Sequence, residues 1–202
     1  MDLTSEYFQS TDLTIYQPKK GHRYGVESFA LADFCRIEEE DSVVEFCSGV
    51  AVISLVVAAK FKPKRVVAIE IQSELYEISL KNVLENSMSK TVEVVCDDYR
   101  KYAASNVKSY DCLVVNPPFY AVGSGRMSAD PQRAKARHEL NGDLEDLLIS
   151  SGAVLREGGR LNIVFPKNRR DELFGLSFKY SFQINRENND NDDIVLAEFE
   201  LK

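Results

Sequence analysis

The sequence predicts an α/β fold: a mostly parallel sheet of about seven strands with helices on both faces. The main observation is alternation, because short runs rich in valine and isoleucine alternate with stretches whose apolar residues have helical spacing. A second observation is that the last two strand-like runs have no helix between them, which predicts an antiparallel C-terminal hairpin. For 202 residues, 44% of them hydrophobic, we expect a single domain spanning 1–202.

Composition favours a cytoplasmic protein without a membrane segment or a metal site. The first ten residues, MDLTSEYFQS, lack the basic and apolar regions of a signal peptide. The longest apolar run, at 50–59, is shorter than the about 20 residues that a membrane-spanning helix needs. The four cysteines, at 35, 47, 96 and 112, have no CxxC spacing, so we expect reduced thiols in the core and neither disulfide nor zinc.

The first half of the chain contains most of the predicted units. The segment 1–35 is expected to form a loop and a helix, since 16–20 (YQPKK) favours a loop and apolar spacing permits a helix at 26–35. Strands and helices then alternate. Strands are predicted at 42–46, 65–69, 92–96 and 111–115, and helices at 50–60 and 73–84.

The second half begins with a long irregular stretch at 121–142, which we expect to be a substrate loop, because loops of this length are commonly functional. A helix is predicted at 143–156, with Gly158 and Gly159 as its C-cap. A fifth strand at 160–165 stops at Pro166, and the predicted hairpin pairs 180–184 with 194–201.

Acidic residues close the first three predicted strands of the sheet. Gly49 lies in EFCSGVA (45–51), where a strand meets a helix and glycine lets the backbone approach a ligand closely. Alone, this segment favours a simple packing turn over a cofactor loop. Glu70, 21 positions beyond Gly49, could accept both hydroxyls of a ribose, and Asp97 or Asp98 could bind an adenine amine. Their alternative roles are a charge near a helix N-terminus and turn residues.

The segment YDCLVVNPPFY (110–120) carries the sharpest signal. The prolines end a strand and hold Asn116 and the carbonyl of Pro117 at its carboxyl edge, where α/β sheets bind ligands. These two acceptors could hold both N–H groups of an exocyclic amine and favour the partly positive nitrogen that forms as it attacks a methyl group. Phe119 could stack on a planar base, a contact worth about 1–3 kcal/mol. We therefore predict amine methylation with Asn116, Pro117, Pro118 and Phe119 as catalytic residues; a strand simply stopped by two prolines is the alternative.

Asn-Pro-Pro followed by an aromatic residue resembles the motif of methyltransferases that act on adenine N6, cytosine N4, guanine N2 or glutamine N5. Two other segments, YQPKKGHRYGVESFALADF (16–34) and ARHE (136–139), resemble the bacterial tRNA1(Val) (adenine-N6)-methyltransferase family, whose members methylate the adenosine beside the anticodon. So do CSGVAVISL, VVAIEIQ, LEDLL and GGRLNIVFP. This resemblance covers 16–167 and resumes at 194–198. It implies a Rossmann-like class I fold, S-adenosylmethionine as cofactor with S-adenosylhomocysteine as product, and tRNA as substrate. The sequence does not determine the oligomeric state, and a monomer is the favoured expectation.

By position, the resemblance implies a set of residues in contact with the cofactor. These are Gly25, Glu27, Glu45, Cys47, Gly49, Glu70, Ile71, Asp97, Asp98, Tyr99 and Asn116. Three departures from the family pattern are visible. Cys47 and Ala51 replace glycines, Glu27 replaces a common aspartate, and 170–193 is shorter than is usual in the family.

Basic residues lie in three segments that could form one phosphate-binding surface despite a net charge of −7. The RNA-binding candidates are Lys19, Lys20, Arg23, Arg126, Arg133, Lys135, Arg137, Lys167, Arg169 and Arg170. Scattered solvated charge is the alternative reading. His138, in the same loop, is expected to be structural, because methylated N6 loses its extra proton to water without a base.

Three other functions stay open from the sequence. A protein glutamine-N5 methyltransferase would have tyrosine after the prolines and a helical N-terminal domain. An rRNA guanine-N2 methyltransferase shares NPPF but lacks the YQPK and ARHE segments. Because the glycine loop is altered, the chain could also be a catalytically inactive RNA-binding module with the same fold.

Overall fold

A computed structural model of the chain describes residues 2–21, 23–117 and 143–202. The strands are β1 (Leu3–Phe8), β2 (Leu13–Pro18), β3 (Ser42–Phe46), β4 (Arg65–Glu70), β5 (Val92–Cys96), β6 (Tyr110–Val115), β7 (Leu155–Pro166), β8 (Phe182–Asn188) and β9 (Ile194–Leu201). The α-helices in the described ranges are α1 (Val26–Phe34), α2 (Val52–Phe61), α3 (Ser73–Glu85), α4 (Tyr99–Ser105), α5 (Leu144–Val154) and α6 (Arg170–Lys179). A 3-10 turn, Lys167–Arg169, precedes α6.

Seven strands form the main sheet in the order β5-β4-β3-β6-β7-β9-β8. Neighbours from β5 to β7 are parallel, and β9 is antiparallel to both β7 and β8. The predicted mostly parallel sheet with an antiparallel C-terminal hairpin is confirmed. The chain runs outward to β5 on one side of β3 and to β8 on the other, so the strand order reverses between β3 and β6. Such a reversal leaves a crevice at the carboxyl ends of the two strands.

Helices cover both faces of this sheet because neighbouring apolar residues of each strand point to opposite sides. Val43 and Val114 pack with α1, α2 and α3 on one face. Val44 and Leu113 pack with α4, α5 and α6 on the other. Since both faces are buried, the central strands read as continuous apolar runs, as is usual for parallel sheets.

The predicted N-terminal loop is wrong in part, because β1 and β2 form an antiparallel hairpin and β2 extends to Pro18. Alternate residues of β2, Leu13 and Ile15, are buried in the core. Thr14 and Tyr16 turn their backbone groups away from β1 and towards α3. Residues 14, 16 and 18 alternate along β2, so the backbone nitrogen of Pro18 also faces away from β1. A proline there therefore costs no hydrogen bond between β1 and β2. The helix predicted at 26–35 is observed as α1.

The pair Gly158 and Gly159 does not cap a helix, contrary to the prediction. Helix α5 ends at Val154, and β7 starts at the next residue and runs through both glycines. The register shifts there, since Tyr110 pairs with Leu155 and Cys112 pairs with Arg160. Gly158 has a φ of +72°, and a Cβ at Gly159 would lie 2.7 Å from the carbonyl oxygen of Arg156. The two glycines therefore make a strand bulge that a side chain would block.

Candidate functional site

The carboxyl ends of four neighbouring strands bring the predicted site residues to one edge of the sheet. The register pairs Phe46 of β3 with Val115 of β6 and with Ile69 of β4. The loop that follows β3 and the Asn116 segment that follows β6 therefore start at the same level, at the crevice where the strand order reverses. The acidic ends of β4 and β5 lie next to them in the sheet.

The loop between β3 and α2, residues 47–51, is called the cofactor loop below. Its backbone is left-handed at every second residue, with φ values of 57° at Cys47, 58° at Gly49 and 61° at Ala51. A residue with a Cβ adopts this conformation at a cost of about 1–2 kcal/mol. Cys47 and Ala51 thus adopt the left-handed conformation that glycine adopts without cost, and the surrounding contacts must hold the loop in it.

Glu45 is buried near the end of β3, with 2% of its surface exposed. Its Oε2 accepts the N–H of Ser54 at 2.8 Å and also the Ser54 hydroxyl. Ser54 lies in the first turn of α2, so this carboxyl also caps the helix. Burial raises the pKa of Glu45 to about 8, while the Ser54 contacts lower it and Glu70 raises it further. Glu45 is therefore mostly protonated at neutral pH in the free protein.

Glu70, the last residue of β4, connects that strand to the cofactor loop. Its Oε2 accepts the N–H of Gly49 and its Oε1 accepts the N–H of Gln72, both at 2.8 Å. Burial raises the pKa of Glu70, and backbone N–H groups, including those of Gln72 and Gly49, oppose the shift. The N–H of Ile71 and the side chain of Gln72 also donate to this carboxyl, so a ribose diol would share its oxygens with these groups.

The third acidic segment behaves differently because Arg100 neutralises Asp98. The guanidinium binds both carboxylate oxygens, with Nη2 at 2.6 Å from Oδ2 and Nε at 3.0 Å from Oδ1. This contact lowers the pKa of Asp98, and the same carboxylate caps α4 through the N–H of Arg100 at 2.9 Å. Asp97 accepts the N–H of Asp98 at 2.8 Å. The ring of Tyr99 stacks on Phe46, with centroids 5.1 Å apart.

The thiol of Cys47 shows that the three acidic segments face one place. Burial raises its pKa, and the carboxyls of Glu70, Glu45 and Asp98 raise it further. The first residue of the cofactor loop is therefore within electrostatic range of all three acids. A positively charged ligand placed there would lower the pKa of the neighbouring carboxyls and so draw out their negative charge. Of the other cysteines, Cys35 and Cys112 are buried as predicted, whereas Cys96 is exposed on the edge strand β5, contrary to the core prediction.

Asn116 is half-buried just beyond β6, and a serine that the sequence analysis did not single out orients it. Its Nδ2 donates to the hydroxyl of Ser28 on α1, at 3.3 Å. Ser28 is 4% exposed, so this partner is shielded from water. With Nδ2 held by α1, Oδ1 is the end of the amide left for a substrate. Pro117 is buried, and the predicted catalytic residues Pro118 and Phe119 lie outside the described residues.

Gly25 and Glu27 form a compact pair at the start of α1. Gly25 precedes the helix with extended backbone, φ −115° and ψ −177°. A Cβ at Gly25 would lie 2.6 Å from the carboxyl carbon of Glu27. The Glu27 carboxylate folds back over Gly25, so a side chain there would displace that carboxylate without straining the backbone. Ile71, next to Glu70, is 43% exposed and offers an apolar surface to a flat ring.

Most described basic candidates already contact groups within the protein. Arg23 binds Thr4 and the Pro18 carbonyl at 2.8 and 2.9 Å. The remaining pairings are Lys167 Nζ with the carbonyls of Asn189 and Asn191, Arg169 with Glu172, and Arg170 with Glu187. Lys19 and Lys20 are exposed just after β2. Arg126, Arg133, Lys135, Arg137 and His138 lie outside the described residues.

Helix α3 supplies three polar residues that the sequence analysis missed. Ser79 Oγ donates to the Gly49 carbonyl at 2.8 Å, and Asn82 Nδ2 donates to the Val50 carbonyl at 2.9 Å. Asn86 lies one turn further and contacts β2. The signal was the spacing i, i+3 and i+7, which puts three polar residues on one side of a helix that is otherwise apolar there.

Two negative findings apply to the described ranges alone. Residues 2–21, 23–117 and 143–202 contain no group of three or more histidine, cysteine, aspartate or glutamate side chains that could hold a metal ion. No helix within those ranges is long and apolar enough to cross a membrane.

The residues at this edge fit S-adenosylmethionine in the chemistry of their donor set. Glu70 is the type of acceptor that ribose hydroxyls need, and Asp98 is the type that an adenine amine needs. Ile71 could cover the adenine, while Glu27 and Glu45 complement positive charge at the methionine end. Among the described residues, the charged groups that act on Cys47 are the carboxyls of Glu70, Glu45 and Asp98, and none of them would repel a sulfonium. Arg100 is paired with Asp98.

Comparison with known proteins supports the same assignment. The family model described as "Methyltransferase small domain" matches residues 27–189. A Bacteroides fragilis protein named tRNA1(Val) (adenine(37)-N6)-methyltransferase is 26% identical over 85% of this chain and 71% of its own length.

Solved structures show the same fold at lower identity. A tRNA methyltransferase of M. jannaschii superposes with a TM-score of 0.73 at 15% identity, over 99% of this chain and 57% of that one. Geranyl diphosphate C-methyltransferase from Streptomyces coelicolor gives a TM-score of 0.66 at 11% identity, over 88% of this chain and 77% of that one. The predicted Rossmann-like methyltransferase fold is confirmed, and so is the resemblance drawn from the motifs. The chain belongs to the methyltransferase small domain family.

Proposed function

We propose that this enzyme transfers a methyl group from S-adenosylmethionine to N6 of an adenine in tRNA, with S-adenosylhomocysteine as the other product. The observation that carries the proposal is the position of Asn116 and Pro117 beside the cofactor loop, with the Asn116 amide oriented by Ser28. The name of the Bacteroides relative supports tRNA adenine as the acceptor and the adenosine next to the anticodon as its position. The proposal includes a cytoplasmic monomer.

Residues on adjacent strand ends would hold the cofactor. Glu70 would accept hydrogen bonds from the ribose hydroxyls, and Asp98 would accept one from the adenine amine. Ile71 and Tyr99 would cover the faces of the adenine ring. Gly49 gives the backbone room to approach, and Cys47 lines the loop. Asp97 supports Asp98 through its N–H. Gly25 leaves space for Glu27, which with Glu45 balances positive charge.

Asn116 and Pro117 act on the acceptor. The cofactor, when bound, supplies an electrophilic methyl group on a positive sulfur. Asn116 Oδ1 and the Pro117 carbonyl accept the two N–H groups of N6, which localises the lone pair on nitrogen. Transfer would make a carbon–nitrogen bond at N6 in place of the carbon–sulfur bond of the cofactor, whose electrons would stay on sulfur, and the extra proton on N6 would go to water. Phe119 would stack on the base, and Pro118 would hold the turn.

Lys19 and Lys20, called the hairpin lysines below, are the described basic candidates best placed for tRNA phosphates. Both are exposed after β2, whereas Lys167, Arg169, Arg170 and Arg23 hold internal partners. In these four residues the internal partners already use part of the donor capacity. We propose that the hairpin lysines act together with Arg126, Arg133, Lys135 and Arg137 in the substrate loop. Neutralised phosphates make binding salt-dependent.

A second candidate, a catalytically inactive RNA-binding module, is favoured by one observation. Cys47 and Ala51 carry side chains at left-handed positions of the cofactor loop, where they could crowd a cofactor. Calorimetry with S-adenosylmethionine separates the two: the enzyme binds it, and the inactive module does not bind even at millimolar concentration.

Replacement of Asn116 tests the catalytic proposal. Asn116→Ala should lower the rate of methyl transfer to tRNA by about 100-fold, the usual cost of one preorganised group. Cofactor affinity should stay within about twofold, because the side chain acts on the acceptor. Single-turnover assays with labelled cofactor give the rate and calorimetry gives the affinity. An unchanged rate would refute the role of Asn116.

A further inference from the structure

Asn82, in the last turn of α3, connects this helix to β2 and to the cofactor loop. Its residue surface is fully buried. Oδ1 accepts the N–H of Tyr16 at 2.8 Å, and Nδ2 donates to the carbonyls of Tyr16 and Val50, both at 2.9 Å. One amide hydrogen therefore holds the N-terminal hairpin and the other holds the cofactor loop.

Asn86 makes the same pair of contacts with Thr14, which lies two residues before Tyr16 on the same edge of β2. Its Oδ1 accepts the N–H of Thr14 at 2.8 Å, and its Nδ2 donates to the Thr14 carbonyl at 2.9 Å. Its other amide hydrogen goes to the carbonyl of Asn82, within its own helix, at 2.7 Å. Both asparagines hold the edge of β2 alike, but of the two it is Asn82 that also holds the cofactor loop.

The contact with Val50 falls where the loop is strained. Val50 directly precedes Ala51, whose φ of 61° is unfavourable for a residue with a Cβ. Strained backbone persists where surrounding contacts determine it. Ser79 contacts the preceding carbonyl, that of Gly49, with a hydroxyl proton that it shares with the Leu75 carbonyl, so α3 contacts two consecutive carbonyls of the loop.

We infer that Asn82 is a positioning residue for the cofactor. It couples the docked N-terminal hairpin to the left-handed conformation of the cofactor loop, so that loss of its bond to Val50 weakens binding of S-adenosylmethionine. The inference rests on the proposed use of that cofactor. The contact that sets affinity is the bond from Asn82 to the Val50 carbonyl, which Asn86 lacks.

The test compares Asn82→Ala with Asn86→Ala in the full chain, using calorimetry with S-adenosylmethionine. Asn82→Ala should raise Kd about tenfold, equivalent to about 1.4 kcal/mol and in the range for an unsatisfied buried polar group. Asn86→Ala should change Kd by less than about twofold, although it removes the same contacts with β2. Urea unfolding should show that both variants lose stability. Equal Kd changes in the two variants overturn the inference.

A rescue variant distinguishes positioning from general damage. Adding Ala51→Gly to Asn82→Ala should restore Kd to within about threefold of wild type, because glycine adopts a positive φ without strain. Absence of rescue contradicts the inference. If Asn82→Ala does not fold, Asn82→Asp keeps the acceptor for Tyr16 and removes the donor to Val50; unchanged affinity in that variant also overturns it. If wild-type protein does not bind the cofactor, the proposed function is wrong. If wild type binds and Asn82→Ala and Asn86→Ala have equal affinities, only this inference is wrong.

Discussion

The carboxyl of Glu45 predicts an unusual pH dependence of stability. Burial raises its pKa to about 8 from an ordinary value of 4.5. Between these pH values the unfolded chain has lost this proton and the folded protein keeps it. The contribution of Glu45 to stability is therefore full below pH 4.5 and is lost as the pH rises towards 8. The dependence is about 1.4 kcal/mol per pH unit, on the order of 5 kcal/mol over the whole window.

Glu45→Gln removes this titration and keeps the shape of the side chain. The glutamine oxygen can still accept the N–H of Ser54, so the cap of α2 is retained. We expect urea unfolding at pH 5, 6, 7 and 8 to show wild-type stability falling relative to the variant by up to about 1.4 kcal/mol per pH unit. Glu70, whose pKa burial also raises, is present in both proteins, and its contribution cancels.

Cofactor binding should reverse the protonation of Glu45. A positively charged ligand beside the carboxyl lowers its pKa, so wild-type protein at pH 7 should release a proton on binding S-adenosylmethionine. Calorimetry in two buffers of different ionisation enthalpy measures this release, and Glu45→Gln should lack it. Parallel pH dependences of wild-type and variant stability would refute the reasoning, because Glu45 would then not be buried in its protonated form.

Three more predictions concern the acceptor, the cofactor and the tRNA. Ser28→Ala should slow methyl transfer about tenfold with unchanged cofactor affinity, because Asn116 Nδ2 loses its partner. Ser28→Thr keeps a hydroxyl and should keep the rate. Equal rates in wild type, Ser28→Ala and Ser28→Thr would contradict the role of Ser28 in orienting Asn116. Gly25→Ala should raise the Kd for S-adenosylmethionine about tenfold by displacing the Glu27 carboxylate, without backbone strain; an unchanged Kd in calorimetry excludes Glu27 from the site. Alanine at both hairpin lysines should reduce the slope of the logarithm of the tRNA binding constant against the logarithm of salt concentration by about two. Alanine at Lys62 and Lys64, just before β4, is the control and should leave that slope unchanged. Equal slopes in the two variants would show that the hairpin lysines do not contact RNA phosphates.

The sequence predicted the sheet well because its signals are local. Each apolar run is buried on both faces, and each unit alternates with an amphipathic or buried helix. Parallel strands place all their carboxyl ends at one edge, so Glu45, Glu70 and Asn116 could be brought together before any coordinates were known. The prediction needed only the order of strands and helices.

The parts that were missed depend on partners far away in the chain. The edge of β2 is completed by Asn82 and Asn86, 66 and 72 residues further on, so no local pattern at 13–18 identifies the hairpin's environment. Gly158 and Gly159 look like a helix C-cap locally, and only pairing with β6 makes them a bulge. Ser28 resembles any serine in a first helical turn until Asn116 is placed beside it.

Mass spectrometry of nucleosides from tRNA incubated with the enzyme and isotope-labelled S-adenosylmethionine tests the central claim most directly. The account predicts label in N6-methyladenosine with wild-type protein and almost none with Asn116→Ala. Label in another nucleoside, or no label although the cofactor binds, would contradict it.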